Sequence, residues 1–211
     1  MIDLPKLYPI TDTSISGLSH YEQAKRMIEG GAKVLQVRDK NALSSELFNA
    51  VVEVCALAEA SGVKVLVNDR VDIALAAGAS GVHLGQDDLP PEEARKLLGP
   101  DAIIGFSTHS VEQAVAASSL PVDYIAIGPV FATYTKEDPE PVVGTEGVTA
   151  VREQIGDLPL VAIGGITYQN FYEVLQAGAD SVAVISGILR PPDLIASKVS
   201  EFLQAANKLC V

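Results

Sequence analysis

The sequence predicts an α/β fold, a single (β/α)8 barrel over residues 1–211 with its working face at the C-terminal ends of the strands. Three observations carry that expectation. Short runs of Val, Ile, Leu and Ala are continuous rather than alternating, as parallel strands covered on both faces are. Segments of helical period separate these runs from one end of the chain to the other. A junction recurs in "EGGAKVLQV", "AAGASGVHL" and "QAGADSVAV": helix end, Gly, Ala, one or two polar residues, then strand. Glycine suits that place because the chain turns left-handed as it leaves a helix. At 211 residues the chain is near the lower end of the roughly 200 to 400 residues of TIM barrels, and no linker or composition shift divides it. An open doubly wound sheet is the main alternative for the same units.

The elements follow in order. The first strand is 7–10, followed by the helical "YEQAKRMIEGG". The second, 34–37, leads into "SSELFNAVVEVCALAEASG". Strand 64–67 precedes "VDIALAAG", and strand 81–84 precedes "PEEARKLLG", where proline suits a first helical turn. Strand 103–106 is followed by "SVEQAVAAS", and strand 124–127 by the proline-interrupted loop "GPVFATYTKEDPEP". Strand 160–163 precedes "NFYEVLQAGA". Strand 181–184 precedes "PPDLIASKVSEFLQAANKL", whose two prolines mark the helix start.

Composition narrows the function. Hydrophobic residues make up 48% of the chain and aromatic residues 5%, so the core is expected to be mainly aliphatic. No run approaches the roughly 18 apolar residues of a membrane span. The start, "MIDLPKLYPITD", has an early acid and no apolar signal core. Cys55 and Cys210 lack metal-ligand spacing and fit a reducing compartment, so a cytoplasmic location is expected. The formal net charge of −12 disfavours nucleic acid and anionic membrane as partners. An acidic protein that binds an acidic small molecule must assemble positive charge locally, so cations at a concave site stand out. The oligomeric state is left open, a homo-oligomer included.

Polar residues and glycines gather just past the strand ends. In order they are Gln36, Arg38 and Lys40; Asn68 and Asp69; Gln86 and Asp88; Ser107, Thr108 and His109; Thr133, Thr135 and Lys136; Gly164 and Gly165; Ser186 and Gly187. Seven consecutive strand ends therefore carry hydrogen-bonding or glycine residues, and in a barrel that rim is where chemistry collects.

Asp69 and Asp88 end sequential strands, expected to lie about 4.8 Å apart. Two carboxylates that close repel unless they share a proton or a cation, and Mg²⁺ suits one or two carboxylates plus phosphate and water. Each Asp also stands where it could instead cap the helix that follows. Arg38 and Lys40, two residues apart on extended chain, point to one side and pair naturally with phosphate oxygens. Lys136 ends a Thr-x-Thr-Lys run in a loop suited to closing over an anion. "VAIGGI" and "AVISGI" end the last two strands, where barrels bind phosphate through backbone amides that glycine lets approach closely. One rim thus offers two anion sites, which fits a transferase joining two phosphorylated small molecules better than a hydrolase. His83, between Val82 and Leu84, is expected to be a packed, hydrogen-bonded histidine; His20 is expected to be structural, and Arg70 to pair with a nearby acid.

Taken together, "LQVRDK", "VNDRVDIALAAGASGVHLGQDDLP", "IGFSTHS", "DYIAIGPVFATYTK", "VAIGGI" and "SVAVISGI" resemble the thiamine-phosphate synthase (thiamine-phosphate pyrophosphorylase) family, from about Leu7 to Leu189. The resemblance implies a (β/α)8 barrel and Mg²⁺-dependent joining of hydroxymethylpyrimidine diphosphate to hydroxyethylthiazole phosphate. It implies that Gln36, Arg38, Lys40, Asn68 and Ser107 hold the diphosphate, with Lys136 contacting phosphate from the closed loop. It implies that Asp69 and Asp88 ligate Mg²⁺, and that Thr133, Thr135, Gly165, Ile185 and Ser186 hold the thiazole phosphate. Lys136, Arg38 and Ser107 would be the catalytic set, in a dissociative substitution. The family usually has proline where this chain has Ala132, which loosens the loop backbone. A related thiazole tautomerase branch uses a histidine at the position of His109 but tends to lack the metal and diphosphate set. A non-catalytic sensor of a phosphorylated metabolite is the rival from another class.

Overall fold

The computed structural model describes residues 4–133 and 140–208. The strands are β1 (Leu7–Pro9), β2 (Val34–Val37), β3 (Lys64–Asn68), β4 (Gly81–Leu84), β5 (Ile103–Thr108), β6 (Tyr124–Ile127), β7 (Leu160–Ile163) and β8 (Ser181–Val184). They form one parallel sheet in the order β1-β8-β7-β6-β5-β4-β3-β2. A bridge between Ile10 and Gln36 joins its two ends, with Thr11 N donating to Gln36 O at 2.9 Å. A doubly wound sheet would reverse its strand order and leave two free edges. Here the order never reverses and the ends meet, so the fold is the (β/α)8 barrel.

The helices are α1 (Thr13–Ser16), α2 (His20–Glu29), α3 (Ser44–Glu59), α4 (Val71–Ala76), α5 (Pro91–Leu98), α6 (Val111–Ala117), α7 (Gly144–Ile155), α8 (Phe171–Gln176), α9 (Ser186–Leu189) and α10 (Ile195–Asn207). The repeated junction behaves as expected: Gly31, Gly78 and Gly178 have φ of 100°, 67° and 108° just before β2, β4 and β8. No helix among the described residues is long and apolar enough to cross a membrane.

Strand pleating sorts the side chains into two cores. One alternate set, including Leu35, Val37, Val65, Val67, Val82, Ile104, Ile125, Ile127, Leu160 and Val182, packs outward against the helices. The other set fills the barrel: Tyr8, Ile10, Val34, Leu66, Tyr124, Ala126, Val161 and Ala183. The outer core is mainly aliphatic, as composition implied, with Phe106, Phe171 and Phe202 among it, and two large tyrosines sit inside the barrel. Gly105 makes room for one of them. A Cβ there would lie 2.0 Å from the Tyr124 ring, so only glycine lets that ring cross from β6 toward β4.

β3 and β5 run past their expected ends, to Asn68 and Thr108. Asn68 and Ser107 are therefore strand residues whose directions the pleat sets, and both register with inward positions, His83 and Ala126 respectively.

Candidate active site

One cavity of about 480 Å³ opens at the C-terminal ends of the strands. Gln36, Arg38, Lys40, Asn68, Asp69, Asp88, Ser107, Thr133, Gly165, Ile185 and Ser186 all line it, with Gln86 and His109. Residues at the ends of seven strands, β2 to β8, and in the loops after them, spread over 150 positions of sequence from Gln36 to Ser186, are thus gathered in one concavity. Thr135 and Lys136 lie outside the described residues.

The cationic side starts at β2. Arg38 Nη1 donates to Asp12 Oδ2 at 2.7 Å, both side chains being largely buried. Asp12 is itself fixed: its Oδ1 caps α1 by accepting from Ser14 N at 3.0 Å, and its N–H donates to Gln23 Oε1 at 2.9 Å. Behind it, His20 Nδ1 meets Thr11 Oγ1 at 2.7 Å and its Nε2 meets Asp39 Oδ2 at 3.3 Å. Burial lowers the His20 pKa despite the pull of Asp39, which fits the structural role expected of it. Lys40 Nζ, more exposed, lies 3.7 Å from Asp69 Oδ2.

Asp69 and Asp88 do not cap helices. The N-cap of α4 is Arg70 and that of α5 is Pro90, neither with a side-chain cap bond. Asp69 has φ of 62°, a left-handed conformation that Asp tolerates better than most residues and that concentrates at functional sites. Asp88 Oδ2 accepts from Gly85 N at 2.6 Å. Burial, and then the adjacent Asp88 carboxyl, push the Asp69 carboxyl up to about 6, against the pull of Lys40 and Arg38. A carboxylate pair in that state takes either a proton or a cation. No group of three or more His, Cys, Asp or Glu suited to a metal occurs among the described residues. Two carboxylates with room for further oxygen ligands is a donor set that fits Mg²⁺. Arg70 does pair with a nearby acid, its Nη2 lying 2.6 Å from Asp72 Oδ2.

Across the barrel, β7 ends in Gly164 and Gly165, with φ of 103° and 64°. Val130 N donates to Ile163 O at 2.9 Å and Phe131 N to Gly164 O at 3.0 Å, so the loop after β6 is zipped onto the end of β7. A Cβ on Gly165 would lie 2.6 Å from Ala132 O and 2.7 Å from Phe131 Cβ. Glycine is what lets these two loops touch and brings Thr133 to the cavity.

The cavity floor carries two tyrosines that the sequence did not single out, Tyr8 and Tyr124. Gln36 Nε2 donates to Tyr8 OH at 3.0 Å, which is 3.0 Å from Tyr124 OH. Tyr124 OH is 2.8 Å from His83 Nδ1, and His83 Nε2 is 2.8 Å from Ser107 Oγ. His83 is the buried, hydrogen-bonded histidine expected, and burial pushes its pKa down to about 4. His109 Nδ1 lies 2.7 Å from Gly128 O, which can only accept, so Nδ1 carries a proton. Asp12 was missed although it ends the first strand as the other polar residues end theirs. Tyr8 and Tyr124 had no signal beyond their place on inward positions. Cys55 lies on α3, away from the cavity, its thiol pushed up to about 11 by burial.

Comparison with known proteins agrees with the fold. The family model described as thiamine monophosphate synthase matches residues 7–188. A thiamine-phosphate synthase of Koribacter versatilis is 46% identical over 210 residues, 96% of each chain. One from Methanospirillum hungatei is 46% identical over 192 residues, 90% of this chain and 93% of that one. The solved thiamine phosphate pyrophosphorylase of Pyrococcus furiosus superposes with a TM-score of 0.88 at 35% identity, covering 98% of this chain and 97% of the other. The chain belongs to the thiamine monophosphate synthase family.

Proposed function

We propose that this chain is a thiamine-phosphate synthase that joins hydroxymethylpyrimidine diphosphate to hydroxyethylthiazole phosphate, releasing pyrophosphate. One observation carries the reading beyond family membership: a single cavity has a cation and carboxylate side at β2 to β5 and a glycine-lined side at β7 and β8. Two phosphorylated substrates can then face each other across the barrel.

Arg38 and Lys40, with Asn68 and Ser107, would hold the diphosphate, and Thr133, Gly165, Ile185 and Ser186 the thiazole phosphate. Asp69 and Asp88 would hold Mg²⁺, which when bound supplies positive charge to the departing pyrophosphate. Arg38 and Lys40 add to that stabilisation from fixed positions. The carbon–oxygen bond to pyrophosphate breaks with its electron pair leaving on oxygen, and the thiazole nitrogen lone pair forms the new carbon–nitrogen bond. No proton need move in either step. The Thr133–Lys136 segment would close over the reactants and exclude water from the cationic carbon.

The test is to incubate the purified protein with both substrates, with Mg²⁺ and separately with EDTA, and to assay thiamine phosphate. Mg²⁺-dependent product is expected. A folded protein that binds both substrates and makes no product would refute the proposal and favour the tautomerase or sensor readings, with His109 the next residue to change.

A further inference from the structure

Four hydrogen bonds run in series across the barrel floor, from Gln36 through Tyr8, Tyr124 and His83 to Ser107. The three middle groups are almost wholly excluded from solvent, at 1%, 0% and 8% exposure. Each of them both donates and accepts, so the series has a direction, and its first bond sets it. Gln36 donates through Nε2 to the Tyr8 oxygen. The only other partner of Tyr8 among the described residues is Tyr124, so the Tyr8 proton must pass to the Tyr124 oxygen. The Tyr124 proton then goes to His83 Nδ1, and a neutral imidazole so engaged carries its proton on Nε2. That Nε2–H donates to Ser107 Oγ. The opposite direction beyond Tyr8 would leave the Tyr8 proton without an acceptor among the described residues, a cost of about 1–3 kcal/mol for a buried donor.

The end of the series is the consequence. Ser107 Oγ receives its hydrogen bond from below, so its own proton is free to be donated into the cavity it lines. We infer that Tyr8, Tyr124 and His83 are positioning residues that hold the Ser107 hydroxyl as a donor toward an anionic group in the cavity. The identity of that anion as the diphosphate rests on the proposed function; the direction of the series does not. Gly105 belongs to the same device, since a side chain there would displace the Tyr124 ring and break the series at its third member.

Two measurements test the inference, one independent of activity. In protein labelled with ¹⁵N-histidine, long-range ¹H–¹⁵N spectra report which nitrogen of each imidazole is protonated, the His83 signals being those lost in His83→Gln. The Nε2–H tautomer is expected for His83, shifting toward a mixture in Tyr124→Phe. Titration of inorganic pyrophosphate with Mg²⁺ by calorimetry is the second. His83→Leu should weaken binding by about 10- to 100-fold, the worth of a hydrogen bond to a charged group. His83→Gln, whose amide N–H can stand in for Nε2–H, should recover most of that loss. An Nδ1–H tautomer in the unaltered protein overturns the inference whatever the activity. Equal pyrophosphate affinities for His83→Leu and His83→Gln overturn it as well. The expected tautomer and graded pyrophosphate binding in a protein that makes no thiamine phosphate would keep the inference and remove the proposed function.

Discussion

Arg38 and Asp12 meet at 2.7 Å across the ends of two adjacent strands, Asp12 being held in turn by Ser14 and Gln23. Asp12 ends the segment after β1, while Arg38 N donates back to Thr11 Oγ1 at 3.3 Å. The guanidinium is therefore aimed before any anion arrives, and its remaining N–H groups are available to one.

Replacing Asp12 tests that arrangement. Asp12→Ala removes the partner of a largely buried guanidinium and the cap of α1 together. Stability should fall by about 3 kcal/mol in a denaturant titration, in line with breaking a buried ion pair. At a temperature where the variant is folded, KM for the diphosphate substrate should rise about tenfold with KM for the thiazole phosphate unchanged. Equal rises in both would mean the pair merely supports the barrel.

The raised Asp69 carboxyl makes a prediction of opposite sign. A carboxylate whose folded pKa lies above its unfolded value costs stability once ionised, so Asp69 weakens the metal-free protein above about pH 6. Asp69→Asn should raise the metal-free Tm at pH 8 by about 2–4 °C. Added Mg²⁺ should raise the Tm of the unaltered protein and leave the variant where it was. A lower Tm for metal-free Asp69→Asn would show that the carboxylates are not in conflict.

Acid sensitivity should trace to His83. Its folded pKa of about 4 lies below the ordinary 6.5, so the unfolded chain takes up a proton first as pH falls. The contribution of the neutral imidazole is complete above about pH 6.5 and is lost progressively toward pH 4. Between pH 7 and pH 5 the stability difference between the unaltered protein and His83→Gln should shrink by about 2 kcal/mol. Comparing the two proteins cancels the other titrating groups, Asp69 among them. A difference independent of pH would mean that the fold leaves the His83 pKa unshifted.

Gly165→Ala should damage the thiazole phosphate side selectively. The added Cβ would press on Ala132 O and Phe131 Cβ at a φ of 64°, forcing apart the loops after β6 and β7. KM for the thiazole phosphate should rise at least tenfold while Mg²⁺-dependent pyrophosphate binding stays normal, both measurable by calorimetry. Unchanged affinity would place that phosphate elsewhere.

Much of this was legible in the chain. Continuous apolar runs located the strands to within two residues, because strands buried on both faces must be apolar throughout. Polar residues just past those runs marked the rim, because a buried polar group is kept only where it finds a hydrogen-bond partner. Helix α7 was harder to see, since Gly144 and Gly147 dilute its pattern. Asp12 was readable by the same rule as Arg38 and was passed over.

Other features had no local signature. An Asp before a helix reads naturally as its cap, and only the structure shows that Asp69 and Asp88 are not caps, with the Asp69 backbone left-handed and its carboxyl beside Asp88. Tyr8 and Tyr124 are 116 residues apart and look like ordinary core aromatics until the barrel closes. The sequence by itself determined the units, their order and which rim would be polar, because periodicity and burial are properties of neighbouring residues. Tertiary structure alone decided which side chains meet across the barrel, and in which direction their protons point. Those depend on strand register and closure, through which a glycine on one strand makes room for a ring from the next.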